Sequence, residues 1–456
     1  MILCCSCSGN LFNKPYPEQL APIISELKEE KKIDANSKFN FFTTYGDSLL
    51  YSSERGRIAQ IVGDVDVSIE NYEDAIQDVK DNEDAAVVRA SEGVSQLLAV
   101  ATADDAIPYA GEEFEKTMLH IMQASNYLFK KDIFNATPEI RLAGDRQAGE
   151  LKKYEQEIAE VKKKVKENKI NFYSVDQKVQ KQYANLNEDA GKVKNSFQNA
   201  YAFYLGGLVY ELNNELNDAY LDYKNALEIF PRNTYLQRDT IRLAEKLGIK
   251  SDLSQLRSRF PNARQRAGKG TDVIVIVEDG FIPEKMELKV NVGLFAQLIP
   301  GLKKAISPGA TFALPTYKND KYKVVPYNIR NSAGKVIGKT EPVCYLFSLA
   351  VRALKERAVE RIIRQVLRIF AKSSHQWLPD NMKDYAVVYN VIQYFSEHAD
   401  LRGWYTLPHN VQIYRNMLPK GKIFVAGKPV EISGEGKTII RVVGSGKANY
   451  VYSVEF

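Results

Sequence analysis

Between Ala200 and Arg232 (AYAFYLGGLVYELNNELNDAYLDYKNALEIFPR), apolar and aromatic residues recur at helical spacing, which predicts two helices joined by a turn. Gly207, Ala219 and Ala226 fall where the two helices must approach closely, and Phe203, Tyr210 and Tyr223 fill the space around that contact. Pro231 ends the second helix, because proline cannot donate to the preceding turn. The same pattern predicts a hairpin over Leu49–Lys80. There Ile69, Tyr72, Ala75, Ile76 and Val79 share one face and Gly63–Asp64 makes the turn. A third hairpin starts with Glu112–Lys130, turns at Lys131–Asp132 and continues through Ala136, Ile140 and Ala143.

Large aromatic, small, aromatic, Ala, aromatic, Ala, Pro is the order of a tetratricopeptide (TPR) repeat, whose period is about 34 residues. The Leu49 and Glu112 hairpins begin about two periods apart, so the Ala- and Val-rich Asp84–Ala103 helix belongs to a degenerate unit between them. A short amphipathic helix is expected over Ile23–Lys32, after a Pro-containing lead-in. Glu150–Asn199 breaks the period. Its EIAEVKKKVKEN stretch is nearly all charge and predicts a long helix or helical hairpin protruding from the stack. Thr234–Leu247 with Asp252–Phe260 then reads as a capping pair with a more polar outer side.

Beyond the polar stretch NARQRAGKG (262–270) the period changes to that of strands. TDVIVIVEDG reads as a buried strand and MELKVNV alternates with period two. Short β segments follow around TFALPTY and YKVVPY. Glu341–Lys372 is expected to be one long helical segment and Tyr385–Phe395 a buried helix. NVQIYRNML, GKIFVAG, KTIIRVVG and ANYVYSVEF return to strands, so the sheet is made by the two ends of this part. The expected fold is α+β and multidomain: an N-terminal segment (1–22), an all-α TPR-like hairpin array (23–265) with a charged protrusion at about 150–199, and a mixed α+β domain (271–456). A chain of 456 residues fits that division, since one core seldom grows so large.

Charge changes at the same boundary: residues 271–456 carry roughly +10 and residues 1–270 about −5. With 45% hydrophobic residues, 26 Tyr and 20 Phe, the chain has the composition of a folded protein. It has no apolar run of about 18 residues, the length that would span a membrane.

Candidate chemistry is sparse. SGEGKT (433–438) and GSGKA (444–448) imitate phosphate-binding loops, but Glu431 and Arg441 stand where such a loop needs its first glycine, and strands follow both. Hairpin turns are the expected form. The four histidines, His120, His375, His398 and His409, show no metal-ligand or catalytic spacing. His120 falls at a core position, and His409 in a loop with a packing or hydrogen-bonding role. Metal and cofactor sites are not expected. Arg357, Arg361, Arg364, Arg368 and Lys372 recur at helical spacing and form a basic stripe suited to phosphate oxygens on an anionic lipid or glycan; a solvated helix face has the same pattern. Nucleic acid is not an expected partner, because no RNA-binding aromatic motif accompanies the stripe. Cys4, Cys5 and Cys7 crowd the start and only Cys344 lies in the body, which excludes a disulfide framework. Ser6–Cys7 has the local form of a lipidation site, although a basic segment and apolar core do not stand before it; a disordered terminus with reactive or metal-scavenging thiols is the other reading of the same residues.

Several stretches together resemble a family of bacterial cell-envelope proteins, typically lipoproteins, with a TPR region followed by an α+β domain. They are LLYSSERGRIAQ, YAGEEFEKTMLHIMQASNYL, VIVIVEDGFIP, ALPTY, RQVLRIFAK and DLRGWYTLPHNVQIYRNMLPKG, in one order over most of the chain. The resemblance implies export, a lipid anchor at Cys7 on the periplasmic side of the outer membrane, and an envelope role among protein partners, with a link to peptidoglycan assembly. The resulting expectation is a non-enzymatic scaffold whose groove, lined by Tyr201, Tyr204, Leu208 and Glu211, holds a partner segment. The alternative is a C-terminal domain that binds an anionic lipid or glycan, or carries an enzymatic activity, with the repeats as a docking arm.

Overall fold

The structure is a computed structural model that describes residues 15–31, 33, 47–91, 109–167, 172–263, 269–291, 293–296, 311–318, 322–373 and 399–456. Its first part is helical. α1 (Tyr16–Lys28) starts seven residues earlier than the pattern predicts, because proline at its first turn has its φ pre-set for a helix and no orphan N–H to satisfy. α2 (Ser48–Val62) and α3 (Val65–Ser91) form the first hairpin, and Gly63 terminates α2 at a φ of 92°. α4 (Glu113–Phe129) begins with a reciprocal cap, in which the Glu112 N–H donates to Glu115 Oε2 at 2.9 Å. It pairs with α5 (Ile133–Glu167), which runs unbroken into the charged stretch.

α6 (Phe172–Gln182), a 3₁₀ turn at Ala184–Leu186 and the single turn α7 (Asn187–Ala190) follow. Here the expectation of a protrusion is corrected for residues 179–199. Val179, Tyr183, Leu186 and Ala190 are buried, Tyr183 Oη donates to the Pro315 carbonyl at 3.0 Å, and Ser196 Oγ donates to Glu356 at 2.7 Å. The apolar residues are few, but they are what pins the segment to the C-terminal part. α8 (Ala200–Leu212) with α9 (Leu216–Ile229), and α10 (Thr234–Lys246) with α11 (Lys250–Arg259), complete the helices. Asn199 and Asn233 start α8 and α10 by accepting two backbone N–H groups each.

Strands begin at β1 (Thr271–Asp279), then β2 (Lys285–Asn291), the short α12 (Gly293–Ala296) and β3 (Thr311–Tyr317). β4 (Asn328–Asn331), β5 (Val336–Lys339) and β6 (Glu341–Cys344) precede the long α13 (Leu346–Ser373). The expected helix over 341–372 therefore starts late. Glu341–Cys344 is an edge strand, where Pro342 is tolerated because an edge has a side that needs no donor. The Tyr385–Phe395 helix and all but the first residues of Asp84–Ala103 lie outside the described residues. β7 (Asn410–Leu418), β8 (Gly421–Val425), β9 (Lys428–Ile432), β10 (Lys437–Gly444) and β11 (Asn449–Glu455) end the chain.

The main sheet has the order β11-β10-β1-β7-β6, with β1 parallel to β10 and antiparallel to β7. β1 thus sits at the centre between strands from the far end of the chain, and every one of its residues is buried. The register puts Asp272, Ile274, Ile276 and Glu278 of β1 on one face with Arg415 of β7 and Lys437 and Arg441 of β10. That face meets the helices. The opposite face meets the four-stranded sheet β5-β4-β8-β9, where the Tyr414 ring lies on Gly338 and Thr340 Oγ1 donates to Gln412 at 2.6 Å. Helices, main sheet and second sheet share one continuous apolar core.

Candidate functional site

The face of α8 expected to receive a partner is filled by the chain's own sheet. Tyr201, Tyr204 and Leu208 are 1%, 0% and 0% exposed. Tyr201 Oη reaches Glu278 of β1 at 3.4 Å, and the Tyr204 ring packs on Tyr223 at 5.6 Å between centroids. Glu211 is paired as well: Arg415 Nη2 stands 3.1 Å and Arg242 Nη2 2.8 Å from its carboxylate. These four residues are brought together as expected from their spacing, but against the sheet and not against solvent. The physical reason is the row of charges and aromatics that the sheet itself presents to the helices.

That row has two centres. At one, Arg415 from mid-strand β7 is fully buried. It reaches Asp272 at 2.6 Å, Asp239 at 3.2 Å and the Tyr223 hydroxyl at 2.9 Å. Burial pushes the Glu211 carboxyl up, yet Arg415, Arg242 and Lys437 outweigh it and hold the group well below the usual carboxylate range. At the other, Arg57 of α2 and Glu278 of β1 are both inaccessible and oppose each other at 2.7 Å, close enough for an ion pair though not aligned as a hydrogen bond. Arg441 lies beside them, donating to the Gln60 carbonyl at 3.0 Å and resting on the Phe129 ring at 4.9 Å. Burial and the neighbouring Arg57 lower its pKa, with Glu278 opposing.

A second occupant of the inner helical face is the segment 399–409. Its backbone is read by side chains of α2 and α4. Glu115 accepts from Trp404 N at 2.9 Å, and Glu54 accepts from Tyr405 N at 2.7 Å and from Thr406 N at 3.3 Å. Arg57 Nε donates to the Thr406 carbonyl at 3.3 Å. The Thr406 hydroxyl and Tyr16 Oη also donate to Glu54. Burial pushes the Glu54 carboxyl up to about 7 against these donors. Trp404 packs edge-on to Tyr72, Arg402 lies over Tyr109 and pairs with Asp47 at 2.6 Å, and Tyr405 Oη accepts from Lys285 N at 3.0 Å. The segment therefore ties the first two hairpins to the start of β2.

Other expected positions are spread over the fold. Arg357 is half-buried and pairs with Glu112 at 3.2 Å, so the first residue of the basic stripe serves an internal contact. The side chains of Arg361, Arg364, Arg368 and Lys372 lie outside the described residues, as do Cys7, His375 and His398. His120 holds one tautomer through Glu139 on Nδ1 at 2.6 Å and the Arg146 donor on Nε2 at 3.2 Å. His409 is stacked between Tyr322 and Phe347, at 4.7 and 5.1 Å, and burial lowers its pKa to about 4. Cys344 is buried and free. GSGKA connects β10 to β11 as a hairpin, whereas 433–436 links the second sheet to the main one, so that expected hairpin is corrected to an inter-sheet turn. Among the described residues, no group of three or more His, Cys, Asp or Glu is placed to hold a metal ion.

No family model matches the chain, and no curated protein matches it. Sequence reasoning gave no internal ionic role to Glu54, Arg57, Glu115, Glu278, Arg415 or Arg441. A signal for the last two was available: each is the lone arginine of a strand, Arg415 among apolar and uncharged polar residues in VQIYRNML and Arg441 among apolar ones in IIRVVG. An unpaired charge there would be costly, so a buried partner had to exist.

Proposed function

We propose that the chain is a non-enzymatic adaptor of the bacterial cell envelope, lipid-anchored at Cys7 and acting among protein partners in envelope or peptidoglycan assembly. In this reading the helical hairpins are a TPR-like array whose inner face is committed to the chain's own C-terminal part. What supports it is the grip on Trp404–Thr406: two carboxylates and a guanidinium on α2 and α4 take hold of the main chain of a non-helical segment. Carboxylates that accept main-chain N–H groups make strong, charge-assisted hydrogen bonds, so a helical groove lined with them can hold a peptide segment. Here the peptide is resident, so separate partners meet the outer helical faces and the C-terminal domain.

Site-specific photo-crosslinking in cells tests the assignment. A photoreactive phenylalanine at Leu221, which is 54% exposed on α9, should capture a second envelope protein. The same probe at Tyr204 should yield only crosslinks within the chain. Capture of a separate protein from position 204, with none from 221, would overturn the reading. Mass spectrometry of the N-terminal peptide, with membrane fractionation, tests the Cys7 anchor independently.

A further inference from the structure

On the side of α8 opposite the sheet, α5, α8 and α9 enclose a cleft of about 270 Å³. Residues 201, 204, 208 and 211 occupy one side of α8, and at 100° per residue Phe203 and Tyr210 of the cleft fall on the other. The space is enough for a small organic ligand. Two of its polar groups are unused. Asp222 of α9 makes no hydrogen bond or ion pair among the described residues, and burial together with the neighbouring Asp218 pushes its carboxyl up to about 7. Gln147 of α5 is 5% exposed; its Oε1 accepts from Asn199 N at 2.7 Å, but its buried Nε2 has no acceptor.

The remaining charges do not satisfy Asp222. Arg141, the cation lining the cleft, is drawn to Glu215 at 3.3 Å and to the Tyr210 hydroxyl. Asp145 adds a second carboxylate to the lining. The cleft therefore carries unbalanced negative charge, one buried N–H that lacks an acceptor, and an aromatic wall from Phe203. Glycine keeps it open. A Cβ on Gly206 would collide with the Asp222 carboxylate, and a side chain on Gly144 would meet nothing nearby and project into free space.

We propose that this cleft is a binding site for a small ammonium compound carrying a neighbouring oxygen acceptor, with Asp222 as counter-ion and Gln147 Nε2 as donor to the oxygen. An α-amino amide, as at a peptide N-terminus, and an amino sugar share that chemistry. The ammonium supplies the positive charge that Asp222 lacks, the oxygen satisfies the orphan N–H, and the Phe203 ring adds a cation–π contact. The proposal does not rest on the adaptor reading, because it is argued from the cleft's own groups.

Calorimetric titration of the full chain with four probes tests it: glycinamide, glucosamine, ethylamine as an ammonium without the oxygen, and acetamide as the oxygen without an ammonium. Glycinamide or glucosamine should bind at least tenfold more tightly than ethylamine, and acetamide should not bind. Whichever of the first two is tighter identifies the source. Asp222→Asn should weaken the tighter probe at least tenfold. Gln147→Glu keeps the acceptor for Asn199 N–H but removes the donor, and should bring the tighter probe's advantage over ethylamine to about one. Gly144→Leu should abolish binding by filling the space while leaving the thermal midpoint unchanged or raised, because leucine is the better helix former. Failure of the wild type to bind either oxygen-bearing amine, or binding undiminished in Asp222→Asn, would overturn the proposal. Loss of binding in Gly144→Leu with intact folding separates this site from any other on the chain.

Discussion

Glu211 and Asp222 belong to the same helical hairpin and meet opposite fates. Glu211 faces the sheet, where Arg415, Arg242 and Lys437 surround it. Asp222 faces away, into a cleft whose cation is already engaged elsewhere. Both are removed from water to a large degree. For Glu211 the Coulomb attraction outweighs the desolvation, and its pKa falls; for Asp222 nothing offsets the desolvation, and its pKa rises. The difference separates holding from availability. Carboxylates on the inner face are consumed in fixing helices to sheet, and the carboxylate on the outer face has capacity left for something outside the chain.

The largest effect should come from breaking the inner side of this contrast. Arg415→Met leaves Asp272 and Asp239 buried without their main cation. Removing one partner of a buried ionic network typically costs about 3–5 kcal/mol. Urea unfolding should show a loss of that size, with an unchanged dependence on denaturant. Asp222→Asn in the same assay should be neutral or stabilising. If Arg415→Met lost under about 1 kcal/mol, the charges on the inner face would not be what holds sheet and helices together.

The same contrast marks how far the sequence could be read. The hairpin turns at Gly63 and Lys131, the small residues between α8 and α9, and the buried strand at 271–279 all follow from local periodicity, which depends on neighbours a few residues away. The filling of the inner face was not legible. Glu54, Arg57 and Gln60 look like a polar, water-facing stripe on α2, yet the partners that bury two of them, Thr406 and Glu278, lie hundreds of residues downstream. Likewise Tyr201 and Tyr204 fall on one side of α8 by their spacing, but only tertiary packing decides whether that side meets a partner or the chain's own sheet. The outer cleft was invisible for the opposite reason. It is defined by what Asp222 and Gln147 Nε2 fail to touch.

Two adjacent glycines sharpen the comparison at lower amplitude. A Cβ at Gly207 would stand 2.7 Å from the Tyr223 ring. That ring cannot move aside freely, because its hydroxyl takes a hydrogen bond from Arg415 and gives one to Glu211. Overpacking of this kind costs about 1–3 kcal/mol, partly offset by the roughly 1 kcal/mol that alanine gains in a helix. Gly207→Ala should therefore lower stability by about 1 kcal/mol. Gly206→Ala meets the far end of Asp222, which has no partner to lose, and Ile140 Cγ2 at 2.8 Å. It should stay within about 0.5 kcal/mol of the wild type. Equal losses at the two positions would show that the outer carboxylate is held as firmly as the inner ring.

The last effect is one of sign, not of size. Burial and the neighbouring Asp218 push the Asp222 carboxyl up to about 7 in the folded chain, against about 3.9 when unfolded, so between those values the folded state holds more protons. Stability from this group is lost as pH rises through that window, and Asp222→Asn should remove the loss, on the order of 1 kcal/mol after screening by water in the cleft. Glu211 runs the other way. Its folded pKa is depressed, so its contribution is present above about 4.3 and is lost as pH falls below that value. Burial also shifts Glu54 up and His409 down, but both cancel when each variant is subtracted from the wild type. Urea midpoints at several pH values should give difference curves of opposite slope: the benefit of Asp222→Asn growing from about pH 4 to 7, and the deficit of Glu211→Gln shrinking as pH drops below about 4. Difference curves of the same slope would mean that the two faces of the hairpin do not differ electrostatically, and the outer carboxylate would then have no unused charge to offer a ligand.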